Sequence, residues 1–99
     1  MALTVVWTQE AEASLLQIIS YLESEWPEDI VRRFVRQVES MVEIIQIQPR
    51  LFRASRHQKN LRKAIIHPHI GMVYKIEESR IVIVLLVDHR STKSSEVFD

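Results

Sequence analysis

Seven residues in the second half of the chain have side chains that could transfer a proton or bind a phosphate. Proton transfer needs a general base or acid, and nearby cations stabilise charge on a phosphate. Histidine titrates near neutral pH, and arginine matches phosphate geometry with two parallel hydrogen bonds. The candidates are Arg56, Lys59, Arg62, His67, His69, Tyr74 and Arg90.

These residues also have ordinary structural interpretations. His67 and His69 flank Pro68 in a predicted turn, where histidines are often simply exposed. Tyr74 lies in a predicted strand beside a valine, and one of the two side chains must face the core. Arg90 follows the last predicted strand, where it could act on a target or form a weak surface ion pair. Both interpretations stay open at this point.

The charged residues are sorted into blocks along the chain. Residues 44–76 contain no acid and carry seven lysines and arginines, whereas residues 1–43 have eight acids against three arginines. The net charge of zero therefore hides a basic middle, which puts a positive field on one part of the surface. We predict that this block binds the target, through Arg53, Arg56, Lys59, Arg62 and Lys63.

Composition excludes several classes of protein. The 99 residues are 46% hydrophobic, which suits one domain over residues 1–99. The absence of cysteine excludes disulfides and thiolate metal sites, and the histidines lack ligand partners at metal spacing, so we expect no metal. Gly71 is the only glycine, so we expect no glycine-rich phosphate loop and no cofactor. With no signal-peptide pattern and no apolar run of membrane-spanning length, we expect a cytoplasmic protein without membrane contact.

Two amphipathic helices occupy the first half of the chain. Thr8 can cap a helix whose apolar residues recur at helical spacing up to Leu22. Trp26-Pro27 interrupts the pattern, because proline suits the first turn of a new helix, and a second apolar stripe then runs from Ile30 to Ile45. We predict that the two helices pair as an antiparallel hairpin.

Strands are predicted on either side of this hairpin. Leu3 to Trp7 is β-branched and aromatic, which favours a short strand, although its place in the sheet is not determined. After a basic connector at residues 48–61, strands are predicted at 62–67, 72–77 and 80–88. The last of these is continuously apolar, so we expect it to be central and covered at least partly on both faces. The order β-α-α-β-β-β predicts an α+β two-layer fold in which the helix hairpin packs on a three-stranded antiparallel meander.

Several short segments carry a family resemblance that spans nearly the whole chain. They are Trp7-Thr8-Gln9-Glu10-Ala11-Glu12, Glu25-Trp26-Pro27, Leu61-Arg62-Lys63, Val73-Tyr74-Lys75-Ile76 and Asp88-His89-Arg90. In this order and spacing, the chain resembles the RelE/ParE superfamily of toxins from bacterial type II toxin–antitoxin modules. The turn at Trp26-Pro27 and the ending Asp88-x-Arg90 look more like ParE-type members.

The resemblance implies a toxin that a cognate antitoxin neutralises in a hetero-oligomer. ParE-like members are associated with inhibition of DNA gyrase, and RelE-like members cleave messenger RNA on the ribosome without a metal. A partner-binding member without toxicity is a third alternative. Phe98 stands where some nuclease members have a tyrosine, and phenylalanine cannot donate a proton. We therefore expect a ParE-like inhibitor rather than an enzyme, and the catalytic candidates, if it is one, are Arg90, Tyr74, Arg62 and His67.

Some apolar residues of the helix hairpin are candidates for contact with the antitoxin. Most leucines, isoleucines, valines and phenylalanines of the two stripes are expected to form the core. Residues left outside the stripes would instead form a groove that an antitoxin helix or strand covers. These candidates are Ile19, Trp26, Val31 and Val35.

Overall fold

The computed structural model describes residues 3–58 and 60–89. It contains two helices on one side of a mixed five-stranded sheet. The elements are β1 (Thr4–Trp7), α1 (Gln9–Glu25), α2 (Glu28–Ile47), β2 (Arg53–Ala54), β3 (Leu61–His67), β4 (Ile70–Glu77) and β5 (Arg80–Asp88).

Helix α1 is capped and tied to the sheet by one threonine. The Thr8 hydroxyl oxygen accepts a hydrogen bond from the Ala11 N–H (3.0 Å), and the hydroxyl donates to the Val84 carbonyl of β5 (2.8 Å). The helix ends where the Trp26 N–H bonds to the Leu22 carbonyl, and Pro27 starts α2 in the extended conformation. The predicted hairpin around Trp26-Pro27 is confirmed.

The sheet has the order β1-β5-β4-β3-β2, with β1 parallel to β5 and the other neighbours antiparallel. This confirms the α+β fold class and the meander, and it settles the place of the first strand.

The expectation of an irregular connector at residues 48–61 is wrong at one point, because Arg53 and Ala54 form β2 against Lys63 and Arg62. A two-residue strand has no periodicity that a sequence could reveal. The turn after β3 is also shorter than expected, since β4 begins at Ile70.

The main core lies between the helices and the sheet. It contains Phe34, Val38 and Ile45 of α2 together with Ile81 and Ile83 of β5. A smaller cluster, Leu61, Val73 and Val87, lies on the other side of the sheet. Strand β5 contributes to both clusters, which agrees with the expected burial on its two faces. Among the described residues, no helix is long and apolar enough to cross a membrane.

Val31 belongs to the buried face of α2, so the expectation that it lies outside the stripe is wrong. Its side chain is only 9% exposed, whereas Ile30 is half-buried. The buried residues of α2 are Val31, Phe34, Val38 and Ile45, which recur at three, four and seven residues. At the N-terminal end of α2, the buried stripe therefore begins at Val31 and not at Ile30, the residue that the sequence pattern indicated.

Candidate functional site

The sheet face that points away from the helices, here called the open face, carries part of the basic block. Arg53 pairs in register with Lys63, and Lys63 pairs with Val73 of the second cluster. Residues directly opposite one another on neighbouring strands point to the same face. Arg53 and Lys63 therefore lie side by side on the open face, next to its apolar centre.

A lysine and a histidine meet on this face. The Lys63 Nζ lies 3.0 Å from the Nε2 of His89, which directly follows β5. Gly71 makes the approach possible, because a Cβ atom at that position would lie 2.8 Å from the Lys63 Cδ and 3.2 Å from the His89 Cε1. Burial, followed by the positive charge of Lys63, lowers the pKa of His89, which favours the neutral ring. A neutral ring can accept the lysine hydrogen bond at Nε2.

His89 was not among the predicted site residues. Its neighbours in sequence, Asp88 and Arg90, marked the segment, but nothing in the sequence showed that β3 and the end of β5 approach each other across Gly71. The backbone adds a second link, since the His89 N–H donates to the His69 carbonyl (2.7 Å). The end of β5 and the turn between β3 and β4 therefore form one site at the end of the sheet.

Tyr74 and Arg62 lie on the helix side of the sheet, so Arg62 does not share a face with Arg53 and Lys63, the residues with which it was predicted to bind the target. Tyr74 is fully buried in the main core, and its hydroxyl donates to the Pro49 carbonyl (2.6 Å). Burial raises the pKa of Tyr74 to about 12, although the charge of Arg62 opposes this. A buried and hydrogen-bonded phenol cannot reach a substrate, which conflicts with the predicted catalytic role.

Arg62 connects the strands to the basic connector. Its Nη1 donates to the carbonyls of Phe52 (2.7 Å) and Arg50 (3.3 Å). The guanidinium therefore holds the chain just before β2. This structural role explains the arginine at position 62 without a catalytic function. Residues 53–54 and 62–63 alternate between the two faces of the sheet, as strand geometry requires.

His67 and His69 form an exposed pair on the turn between β3 and β4. Their ring centroids are 5.7 Å apart, and the His69 N–H donates to the His67 Nδ1 (3.3 Å). Both line a cleft of about 500 Å³ together with Trp26 and Arg33 of the helix hairpin. The structure thus brings the turn histidines close to His89 and to the hairpin turn.

The remaining predicted residues are distributed over the surface. Arg56 is exposed on a turn whose backbone bonds to the buried Ser55 hydroxyl. Trp26 is 52% exposed, Val35 is half-buried, and Ile19 is half-buried against the main core. Lys59, Arg90 and Phe98 lie outside the described residues.

Other cations are paired within the chain. Lys75, the last cation of the basic block, lies 2.9 Å from the Glu77 carboxylate, which also pairs with Arg80 (2.9 Å). On α2, Arg32 pairs with Glu28 (3.4 Å). Within residues 3–58 and 60–89, no group of three histidines or acidic residues is arranged to hold a metal ion.

Comparison with known protein families identifies the family of this chain. The sequence model described as "ParE toxin of type II toxin-antitoxin system, parDE" matches residues 5–93. The chain belongs to the ParE toxin family. The match covers both helices, the sheet from Val5 onward and the Lys63–His89 pair, and it confirms the resemblance seen in the sequence. Among curated proteins, no match was found.

Solved structures share the fold of this ParE-family chain. A chain of the chromosomal ParDE system of P. aeruginosa superimposes with a TM-score of 0.71 at 16% identity, covering 88% of this chain and 96% of that one. A chain of the RelBE2 complex of Mycobacterium tuberculosis gives 0.63 at 18% identity, with 89% and 99% coverage. A chain of the E. coli DinJ-YafQ complex gives 0.65 at 7% identity, with 93% and 98% coverage. At these identities the likeness concerns the fold.

Proposed function

We propose that this ParE-family toxin inhibits an essential process, with DNA gyrase as its target, and that a cognate antitoxin neutralises it in a hetero-oligomer. The family match over residues 5–93 carries this proposal. The burial of Tyr74 supports it, because the phenol is withdrawn from proton transfer. The target would meet the open face, where Arg53 and Lys63 supply positive charge beside an apolar centre.

Expression without the antitoxin, followed by a supercoiling assay with purified gyrase, tests the proposal. We expect growth arrest and loss of supercoiling activity. Arg90→Ala should relieve the arrest while antitoxin binding is largely retained, because Arg90 follows the open-face residue His89 directly. Normal growth on expression would identify a partner-binding member without toxicity. Arrest with unaffected gyrase would contradict the proposed target.

The Lys63–His89 pair favours a second candidate, a ribosome-dependent ribonuclease. The neutral His89 ring has one acceptor nitrogen, Nε2, so it could take a proton from a 2′-hydroxyl when Lys63 turns from this nitrogen to a phosphate, beside which Arg53 also lies. Primer extension on translated messages after induction separates the two candidates. Discrete cuts that disappear in His89→Gln would establish the nuclease, and their absence in an arrested culture favours the gyrase inhibitor.

A further inference from the structure

A cleft of about 500 Å³ lies between the helix hairpin and the turn that joins β3 to β4. Helix α2 forms one side of it with four residues that share a helix face, because they recur at three, four and seven positions from the first. They are Ile30, Arg33, Phe34 and Gln37. Small-molecule sites have volumes of about 300–1,000 Å³ and combine apolar side chains with a few polar ones. The cleft therefore has the size and the composition of a ligand-binding site.

Cationic and hydrogen-bonding side chains make one part of the cleft suitable for an anion. Arg33 is exposed and has no ion-pair partner within residues 3–58 and 60–89, whereas the neighbouring Arg32 pairs with Glu28. The His67 Nδ1 accepts from the His69 N–H, so the proton of the neutral His67 ring is on Nε2, which can donate to a ligand. None of the described residues that line the cleft is acidic. The arginine and the turn histidines can therefore bind a phosphate group.

Two partly exposed aromatic rings line the same cleft. Trp26 is 52% exposed and Tyr21 is 48% exposed, although rings of this size gain free energy when they are covered. The Trp26 N–H donates to the Leu22 carbonyl (2.8 Å), which fixes the residue at the end of α1. Any nucleobase can stack on such a ring, because every base has an aromatic face. The cleft therefore offers a stacking surface and an anion site to one ligand.

We propose that the cleft binds a free nucleoside monophosphate, with its base against Trp26 and its phosphate against Arg33 and the turn histidines. Gln37 lies one helical turn after Arg33, and its amide can both donate to and accept from the edge of a base. A peptide strand fits the cleft less well, since most of the lining residues are in α1 and α2, whose backbone groups are paired within the helices. This site goes beyond the proposed function and does not depend on the target of the toxin.

Titration calorimetry of the purified chain with AMP, GMP, CMP and UMP tests the proposal. We expect at least one of them to bind with a dissociation constant below about 1 mM, and about tenfold more tightly than its nucleoside or inorganic phosphate alone, because it makes both kinds of contact. NMR should show the largest shifts at the Trp26 indole N–H and at the rings of the turn histidines. No binding of any mononucleotide at about 5 mM, or equally tight binding of the nucleoside or of phosphate, would overturn the proposal. Much tighter binding of a short single-stranded RNA at the same residues would assign the cleft to a nucleic-acid chain, and the free nucleotide would be the wrong ligand.

Two matched pairs of variants test which side chains hold the nucleotide. Arg33→Met should weaken its binding about tenfold, whereas Arg32→Met, which removes the same charge at the neighbouring position outside the cleft, should change it little. Trp26→Leu should weaken binding by a similar factor, and Trp26→Phe should retain most of the affinity, because phenylalanine keeps an aromatic face. All four variants are measured by calorimetry after circular dichroism has verified folding. Equal affinities within either pair would contradict the contacts on which the site depends, and the proposed site would be wrong.

Discussion

Lys63 and His89 are 26 residues apart in sequence, yet the Lys63 Nζ lies 3.0 Å from the His89 Nε2. The contact connects β3 to the end of β5 over β4, the strand between them. The absence of a side chain at position 71 of β4 leaves room for it, since a Cβ atom there would lie 2.8 Å from the Lys63 Cδ. The Lys63–His89 contact therefore depends on how β3, β4 and β5 are arranged on the open face, and several measurements can test it.

The pH dependence of stability should reveal His89. Its folded pKa lies below the ordinary histidine value of 6.5, through burial and then Lys63, so between these two values the unfolded chain holds the extra proton. The free energy of unfolding should be highest above pH 6.5, fall as the pH drops below it, and level off below the folded pKa. Urea unfolding between pH 5 and 8 measures this. His89→Gln should flatten the slope, and an unchanged slope would show that other groups cause it.

Gly71→Ala should disturb the Lys63–His89 pair. The new Cβ would lie 2.8 Å from the Lys63 Cδ, so the lysine side chain must move. We expect a loss of about 1 kcal/mol in the free energy of unfolding, as for other cases of overpacking, and a rise in the pKa of His89 as the lysine charge withdraws. Unfolding curves and an NMR titration of the His89 ring measure the two effects. Lys63→Ala in the same chain should remove the clash, and an additive double mutant would contradict the contact.

Tyr74→Phe separates the structural role of the phenol from a catalytic one. The change removes the hydrogen bond to the Pro49 carbonyl and leaves that half-buried acceptor without this donor. We expect a loss of about 1–2 kcal/mol in the free energy of unfolding, with growth arrest retained at equal soluble expression. Loss of toxicity in a folded Tyr74→Phe variant would instead support a direct role of the phenol in toxicity.

The raised pKa of Tyr74 gives an independent test in alkali. Between pH 10 and about 12, the unfolded phenol loses its proton while the folded one keeps it. The contribution of Tyr74 to stability is therefore complete below pH 10 and declines as the pH rises to about 12. Unfolding of the wild type and of Tyr74→Phe at pH 9 and 11 should show the larger decline in the wild type.

Arg62→Met should loosen the basic connector. The guanidinium no longer donates to the Phe52 and Arg50 carbonyls, so we expect a loss of about 1–2 kcal/mol and faster proteolysis near residues 50–54. Arg56→Met, which removes the same charge from an exposed turn, is the matched control and should have little effect on either measurement. Equal cleavage rates in the two variants would show that the guanidinium does not hold the connector.

Most of the fold could be predicted because its signals are local. The stripes of α1 and α2, the proline between them and the apolar last strand each appear within one stretch of sequence, and they define an α+β hairpin-and-meander fold. Strand β2 was not predicted, because two residues are too few to show the alternation that is typical of a strand. Val31 was assigned to the wrong side because a shift of one residue turns a helix face by about 100°. The pairing of β1 with β5 depends on contacts between distant segments.

The site was less predictable, since a sequence shows which charges are present but not which face of a sheet they reach. The order of residues alone determined the basic block, the family and the types of side chain available for chemistry. Tertiary structure decided that Tyr74 is buried, that Arg53 and Lys63 share a face which Arg62 does not, and that His89 meets Lys63. The physical reason is that strand register and the absence of a Cβ at Gly71 set these distances, and both arise only when remote segments pack together.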